Sequence, residues 1–398
     1  MKNNTLSAMA RRLCVPCRHV RARHRGMGTA GTARATAALC LLCVLSLLLC
    51  GCAQEYLDIS DHVDSTVSDA APDFTSISNY TQLRAALSSM VSLRQESAVL
   101  RFSQYGGELS EDLSTATWSI RAESALGAWC VESVSYELQH LVSYSEADVS
   151  IRYKRTEQEM ESVVYLTGTI GLSEQIQQAL RQAQTRLVVR LSSRSMDADG
   201  AQAAVQEAWL EDPLCSAAPP QATAEVYSGK SYERIVDFTF SYDYSAEWLE
   251  QLRQTLSLAV DRVLEDASSG DTATRIRSAC RILSAGCSYD PLVSDFGGTA
   301  YGALVIGHAN SLGYAQACKL MCDRMDVPCQ IIVGRYDRAE HYWNIVEIDG
   351  ARYHIDASLA AQLGLSAVFL RSDSAMWGRY TWDIDAYDPC LGAETGAQ

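Results

Sequence analysis

The pattern of hydrophobic and polar positions predicts a repeated arrangement of helices and strands in the middle of the chain. Two stretches carry hydrophobic residues at helical spacing, residues 81–91 through Leu83, Leu87, Met90 and Val91 and residues 174–187 through Ile176, Leu180, Ala183 and Leu187. Each predicted helix leads into a predicted strand, at residues 99–103 (VLRFS) and 188–192 (VVRLS). The two strands are 89 positions apart.

The same offset recurs further along the chain. It aligns residues 148–153 (DVSIRY) with residues 237–242 (DFTFSY), and a helix start is predicted after each, at Thr156 and Ser245. We therefore predict two related α+β modules, residues 74–168 and residues 169–255. Neither contains a cluster of His, Cys and carboxylate residues. Their many Tyr and Trp residues fit either a binding face or ordinary core packing.

The amino-terminal segment has the pattern of an export signal. Eight basic and no acidic residues occur in residues 1–51, and the run at residues 37–50 (AALCLLCVLSLLLC) is too short to span a bilayer comfortably. The sequence Leu49-Cys50-Gly51-Cys52 resembles a bacterial lipobox, which implies lipidation of Cys52. Residues 52–73 then form a polar, acidic tether. A plain secretory signal or a short membrane anchor is the alternative, and either Met1 or Met27 is the start.

The net charge of the chain becomes more negative when the predicted signal is excluded. The whole chain has a net charge of -15, but residues from position 52 onward contain 25 basic against 48 acidic residues, a balance of -23. Such acidity argues against nucleic-acid binding. Eight cysteines follow Cys52, which permits either disulfides or buried thiols in an exported protein. None has zinc-ribbon spacing, so we predict neither a metal nor a cofactor.

The carboxy-terminal part has a pattern that carries chemistry. A helix is predicted to begin near Asn310 or Ser311, and strands are predicted at residues 329–333 and from His341 onward. The Asp-Gly pair at residues 349–350 predicts a two-residue hairpin, in which paired residue numbers sum to 699. This register places His341 and Asp356 as diagonal neighbours on one face, about 7 to 8 Å apart.

These motifs resemble those of the transglutaminase-like superfamily of papain-like cysteine enzymes. The resemblance rests on residues 311–315 (SLGYA), residues 341–344 (HYWN) and residues 353–356 (YHID), in the family's order. It extends from about Ile276 to Cys390. It implies an α+β papain-like core, which we place at residues 256–392 after the two modules.

The resemblance also implies roles for individual residues. It places residue 311 as the nucleophile, His341 as general base and acid and Asp356 as its orienting partner, and it places Tyr314, Trp343 and Asn344 along the substrate cleft. The family's nucleophilic cysteine is Ser311 here. A serine hydroxyl ionises far less readily than a thiol, so the substitution removes most activity from a site built for a thiolate.

We therefore expect a membrane-anchored, extracytoplasmic protein of a bacterial cell envelope. The first hypothesis is a non-catalytic protein that binds peptide or cell-envelope material through the retained cleft. The second is an acyl-transfer enzyme, an amidase, protease or transamidase, that uses Ser311, His341 and Asp356. The third is a structural or adaptor lipoprotein that acts through the repeated modules. The oligomeric state stays open.

Overall fold

A computed structural model describes residues 76–293 and 295–392 of the chain. The predicted signal, Cys52 and the tether up to residue 73 lie outside the described residues. Within the described ranges, no helix combines the length and the apolar character needed to cross a membrane. Helices and sheets are mixed throughout, and the fold class is α+β.

The first part of the fold packs four helices around a three-stranded sheet. The helices are α1 (Tyr80–Ser92), α2 (Leu109–Glu123), α3 (Ala125–Cys130) and α4 (Glu157–Glu161), and the strands are β1 (Ser97–Phe102), β2 (Val131–His140) and β3 (Ser145–Tyr153). The strand order is β1-β3-β2, and both pairings are antiparallel. The apolar face predicted for α1 is confirmed, because all four of its residues are buried.

The second part has a four-stranded sheet of order β4-β5-β7-β6. Its strands are β4 (Val164–Leu166), β5 (Arg186–Ser192), β6 (Gln221–Ser228) and β7 (Glu233–Ser241), and its helices are α5 (Leu172–Arg181) and α6 (Ala198–Glu211). Two sequence predictions are wrong here. The helix predicted over residues 174–187 ends at Arg181, because Ala183 adopts a left-handed φ of 49° and Leu187 belongs to β5. The boundary at residue 168 is also wrong, because β4 pairs in parallel with β5.

The two parts share an element order at the predicted offset. In each, a helix, a strand, a second helix and two antiparallel strands follow one another, and β1 and β5 start 89 positions apart. The predicted helix starts after β3 and β7 are confirmed as N-caps, since Thr156 accepts the Glu159 amide proton and Ser245 accepts that of Trp248. A common origin of the two parts stays a prediction.

A buried carboxylate joins the two parts. Asp237, on β7 and 6% exposed, accepts hydrogen bonds from Arg186 of β5 (2.8 and 2.6 Å) and from the indole of Trp129 of α3 (2.9 Å). Arg155, which follows β3, adds a contact of 3.4 Å. Burial alone raises the pKa of Asp237, but the hydrogen bonds from Arg186 and Trp129 outweigh it and lower the pKa. Residues from both parts of the fold thus bind the carboxylate of Asp237.

The third part carries the predicted chemistry on a five-stranded antiparallel sheet of order β13-β12-β11-β10-β14. The strands are β10 (Cys329–Tyr336), β11 (Ala339–Ile348), β12 (Ala351–Ile355), β13 (Phe369–Arg371) and β14 (Tyr380–Trp382), after a two-stranded pair β8 (Ser288–Tyr289) and β9 (His308–Ala309). The helices are α7 (Ala246–Asp266), α8 (Thr272–Gly286), α9 (Ser311–Arg324), α10 (Ala360–Leu363), α11 (Leu365–Val368) and α12 (Asp373–Met376). Helix α9 packs on β10 and β11.

The domain boundary predicted between residues 255 and 256 is wrong, because it falls inside α7. Leu252, Leu256 and Val260 of this helix are buried in the same core cluster as α8 and α9. Helix α7 is therefore part of the carboxy-terminal core. The chain passes from the second sheet to that core before residue 246.

The hairpin prediction is confirmed. Asn344 pairs with Ile355 and Ile348 pairs with Ala351, so the register is the predicted one. Asp349 and Gly350 have φ angles of 52° and 78°, as a two-residue hairpin turn with two left-handed positions requires. The first half of β11 lies beside the start of α9, where the Tyr342 backbone amide donates to the Ser311 hydroxyl.

Candidate functional site

Ser311 is the first residue of α9, and Asn310 caps the helix before it. The Asn310 Oδ1 atom accepts the backbone amide protons of Leu312 (3.0 Å) and Gly313 (3.2 Å). These are two of the amide groups that a helix amino terminus otherwise offers to a ligand or an oxyanion. Asn310 therefore already accepts hydrogen bonds from two of the free backbone amides at the amino terminus of α9.

The hydroxyl of Ser311 is buried and faces β11. Ser311 is 6% exposed, and its Oγ atom accepts the backbone amide proton of Tyr342 at 3.3 Å. Among the described residues, no hydrogen bond joins Ser311 Oγ to the neighbouring His341. The serine thus lies beside the histidine without engaging it as a base.

His341 and Asp356 form a buried pair. His341 Nε2 lies 2.7 Å from Asp356 Oδ2, and the two residues are 3% and 1% exposed. Because an ionised carboxylate only accepts hydrogen bonds, Nε2 is the donor. In neutral His341 the free lone pair is therefore on Nδ1. A carboxylate that fixes the tautomer in this way is the arrangement found in nucleophile-base-orienter triads.

Further donors hold Asp356, and one of them was not predicted from sequence. Ser358 donates to Oδ1 through its backbone amide (3.1 Å) and its hydroxyl (2.6 Å), and Leu359 adds a longer amide contact (3.4 Å). Tyr380 of β14 donates its hydroxyl to Oδ2 at 2.8 Å. The hairpin register predicted Ser358 near His341, but Tyr380 is 24 residues beyond Asp356 and no spacing rule connects the two. The order of strands in the sheet brings them together.

Aromatic rings surround the imidazole of His341. The ring centroids of Tyr336, Tyr380 and Trp343 lie 5.4, 6.1 and 6.2 Å from it. Burial, together with the charge of Asp356, raises the pKa of Tyr380 far above its ordinary value, so this phenol stays protonated and remains a donor. Aromatic rings thus enclose His341 and its partner Asp356, and the Tyr380 hydroxyl is a fixed donor to Asp356.

The three residues expected to line the cleft lie inside the protein. Tyr314, Trp343 and Asn344 are each 1% exposed. Tyr314 donates its hydroxyl to the carbonyl of Cys287, and Asn344 donates its amide to the carbonyl of Ala315 at 2.9 Å. These contacts tie α9 to its surroundings. We therefore assign the three residues a supporting role, in place of the ligand contact predicted from sequence.

A cluster of His354, Asp373 and Cys390 has donor atoms within 4.8 Å of one another. The indole of Trp343 donates to His354 Nδ1 (3.0 Å), so neutral His354 carries its proton on Nε2 and donates it to Asp373 (2.8 Å). A metal on Nε2 would need an imidazolate or loss of the indole bond. Asp373 also accepts the Cys390 amide proton at 3.0 Å. The cluster therefore fits a structural clasp for the chain after β14 better than a metal site.

All eight cysteines of the described ranges are buried and none forms a disulfide. Cys318, two turns along α9 from Ser311, is fully buried and lies 4.0 Å from the thiol of Cys280. That thiol contact and burial raise the pKa of Cys318. Cys318 therefore does not replace the missing thiol at position 311.

Comparison with known proteins gives only weak likenesses. No protein family and no curated protein matches the chain. The solved structures that resemble it include three proteins of low sequence identity. One, described as a "TGase", has 10% identity and a TM-score of 0.24 and covers 44% of this chain and 51% of its own. A "putative cysteine protease" from Cytophaga hutchinsonii has 12% identity, a TM-score of 0.24 and coverages of 38% and 66%.

The third, a "putative protease" from Parabacteroides distasonis, has 13% identity, a TM-score of 0.22 and coverages of 57% and 49%. The chain thus spans between about half and two thirds of the length of these structures. These likenesses are too weak to assign the chain to a family.

Proposed function

We propose that the protein is a non-catalytic, transglutaminase-like binding protein of the cell envelope, which holds a peptide or envelope polymer beside Ser311 and His341. The observation that carries this proposal is the state of Ser311. Its hydroxyl accepts the amide proton of Tyr342 and makes no hydrogen bond to His341 within the described structure. A serine nucleophile needs its proton taken by a hydrogen-bonded base. A site without that hydrogen bond favours binding of a ligand over its chemical conversion.

The second candidate is an acyl-transfer enzyme that uses Ser311, His341 and Asp356. The pairing of His341 with Asp356 at 2.7 Å favours it, because this pairing leaves Nδ1 free to accept a proton. A rotation of the Ser311 side chain on substrate binding would complete the triad. In this reaction Ser311 Oγ attacks an amide carbonyl, His341 passes the serine proton to the leaving amine, and water releases the acyl group.

Turnover assays on three forms of the mature protein separate the two candidates. The wild type, Ser311→Ala and Ser311→Cys are tested for hydrolysis of fluorogenic peptide amides and for amine transfer to glutamine peptides. We expect the wild type to match the alanine variant, and the cysteine variant to gain activity because His341 and Asp356 are in place. Wild-type turnover that the alanine variant abolishes would establish the enzyme and overturn the binding proposal.

We also propose that the protein acts outside the cytoplasm, attached to a bacterial membrane through a lipid on Cys52. The support is the sequence pattern of basic segment, apolar run and lipobox-like Cys52. Metabolic labelling with an alkyne fatty acid tests it. Label and membrane association should both be lost in Cys52→Ala and kept in Cys50→Ala. Equal labelling of the two variants would refute the anchor.

A further inference from the structure

A small cavity lies where the second sheet meets the carboxy-terminal core. It has a volume of about 210 Å³. The residues used below that line it are Tyr242, Asp243, Tyr244, Leu249, Asp295 and Phe296. Pockets for whole drug-sized ligands usually measure about 300 to 1,000 Å³. The volume of this cavity therefore suits one amino-acid side chain.

The charged side chains that line the cavity are all acidic. Asp243 and Asp295 both line it, and no Lys, Arg or His is among its lining residues. Asp243 accepts one hydrogen bond, from Gln221 at 2.9 Å, through Oδ2. Both aspartates are exposed, so their carboxylates are open to an incoming group. A ligand group that fills this space meets two negative charges and no competing cation from the lining.

Aromatic rings form a wall of the same cavity. The rings of Tyr244 and Phe296 are nearly parallel, with centroids 5.8 Å apart and planes at 19°. Trp248 lies beside them, 4.2 Å from Tyr244, and Tyr244 and Trp248 are each 38% exposed. Aromatic faces beside carboxylates attract ammonium and guanidinium groups through cation–π contact and charge together.

The cavity wall is connected to the candidate site. Asp295 and Phe296 belong to a short 3-10 turn, residues 295–298, whose Gly297 carbonyl accepts the Asn310 amide proton at 2.9 Å. A Cβ atom on Gly297 would lie 2.1 Å from the Val293 side chain, so the close packing of this turn requires glycine. Ser311 follows Asn310 directly, so this backbone hydrogen bond links the wall of the cavity to the residue before Ser311.

We propose that this cavity binds a cationic side chain, lysine or arginine, of the peptide whose neighbouring part lies at Ser311. The inference rests on the proposed function for the position of the peptide, but the cavity can be tested alone. The strongly acidic mature chain, with its balance of -23, also attracts cationic ligands over a longer range. The segment that follows β7 of the second sheet contributes Tyr242 and Asp243, and this part of the fold thereby gains a role in ligand selection.

The first test uses N-acetyl-lysine methylamide as the probe and its Nε-acetylated form as the neutral control. Their binding to the mature protein is followed by ligand-observed NMR. One exposed ion pair and one cation–π contact together predict about tenfold weaker binding of the neutral probe. The double variant Asp243→Asn/Asp295→Asn should remove the difference in affinity. The double variant Asp383→Asn/Asp385→Asn, at exposed carboxylates outside the lining, should keep it.

Equal affinities of the two probes would overturn the inference, as would an equal loss in both double variants. Arginine and lysine probes compared side by side identify the preferred cation. A second series lengthens the lysine probe by one, two and three residues in each direction. The cavity can also bind the cation while no extension increases the affinity and Ser311→Trp leaves the affinity of the extended probes unchanged. That result would support the cation site and refute the proposed peptide cleft at Ser311.

Discussion

The buried carboxylate of Asp356 allows a sharp test of the site, because one of its donors can be removed without changing a ring. Tyr380→Phe deletes the hydroxyl that donates to Asp356 Oδ2 at 2.8 Å. Asp356 is 1% exposed and Tyr380 is 7% exposed, so water does not easily replace the lost donor. Tyr342→Phe is the matched control, since its hydroxyl donates at 2.7 Å to the exposed Glu340.

The magnitude follows from the difference in burial. A hydrogen bond to a buried charged group contributes about 1.5 to 3 kcal/mol, and Asp356 keeps its other donors, so we expect a loss of about 2 kcal/mol for Tyr380→Phe. The exposed bond of Tyr342 is worth under about 0.5 kcal/mol. Hydrogen exchange of the amides in β11 and β12 measures both, because it reports on the carboxy-terminal sheet alone.

The expected result is exchange about 30-fold faster in Tyr380→Phe and nearly unchanged in Tyr342→Phe. Equal effects of the two variants would refute the reasoning, since burial would then not govern the strength of the bond. A loss below about 0.5 kcal/mol for Tyr380→Phe would show that Asp356 does not depend on this donor.

Three further predictions concern other parts of the fold. Burial lowers the pKa of His354 against the opposing effect of Asp373, so the unfolded chain binds a proton that the folded chain does not, and stability should fall as the pH drops below about 6.5. His354→Gln should flatten this dependence by up to about 1.4 kcal/mol per pH unit, measured by urea unfolding. Burial raises the pKa of Cys130 and of Cys390 to about 12, so a disulfide reagent at pH 8 should label the eight cysteines of the described ranges only after unfolding. Gly350→Ala should cost about 1 kcal/mol, because φ is 78° although nothing lies within 4 Å of the added Cβ.

Each of these predictions has a control within the chain. His140→Gln, at an exposed histidine, is the control for His354→Gln, and an equal change in both variants would contradict the assignment to His354. Rapid labelling of any of these eight cysteines in the native protein would contradict the buried state of their thiols. Gly286→Ala also adds a Cβ to open space, but at the end of α8 without a positive φ, so it should be neutral or stabilising.

The sequence predicted the local geometry of the site well, because short-range rules govern it. An Asp-Gly turn fixes the register of β11 and β12, and this register alone puts His341 beside Asp356. The start of α9 follows from the capping side chain of Asn310. Neither inference needed any knowledge of the rest of the fold.

The parts that sequence analysis missed depend on contacts between distant segments. Nothing near Tyr380 shows that β14 pairs with β10 and so brings its hydroxyl to Asp356. The continuous helical spacing of residues 174–187 did not reveal the turn at Ala183, where a non-glycine residue takes a left-handed φ. Burial of Tyr314 follows from tertiary packing, which residue spacing does not report.

The shared carboxylate of Asp237 has a consequence for how this protein can be divided. A cut between β4 and α5 would leave Trp129 and Arg155 on one fragment and Asp237 with Arg186 on the other. Each fragment would expose half of an ion-pair network at its new surface. The two parts, however alike in element order, are therefore not interchangeable units. Transplanting one of them into another protein would require a substitute for the charge or the indole that its neighbour now supplies.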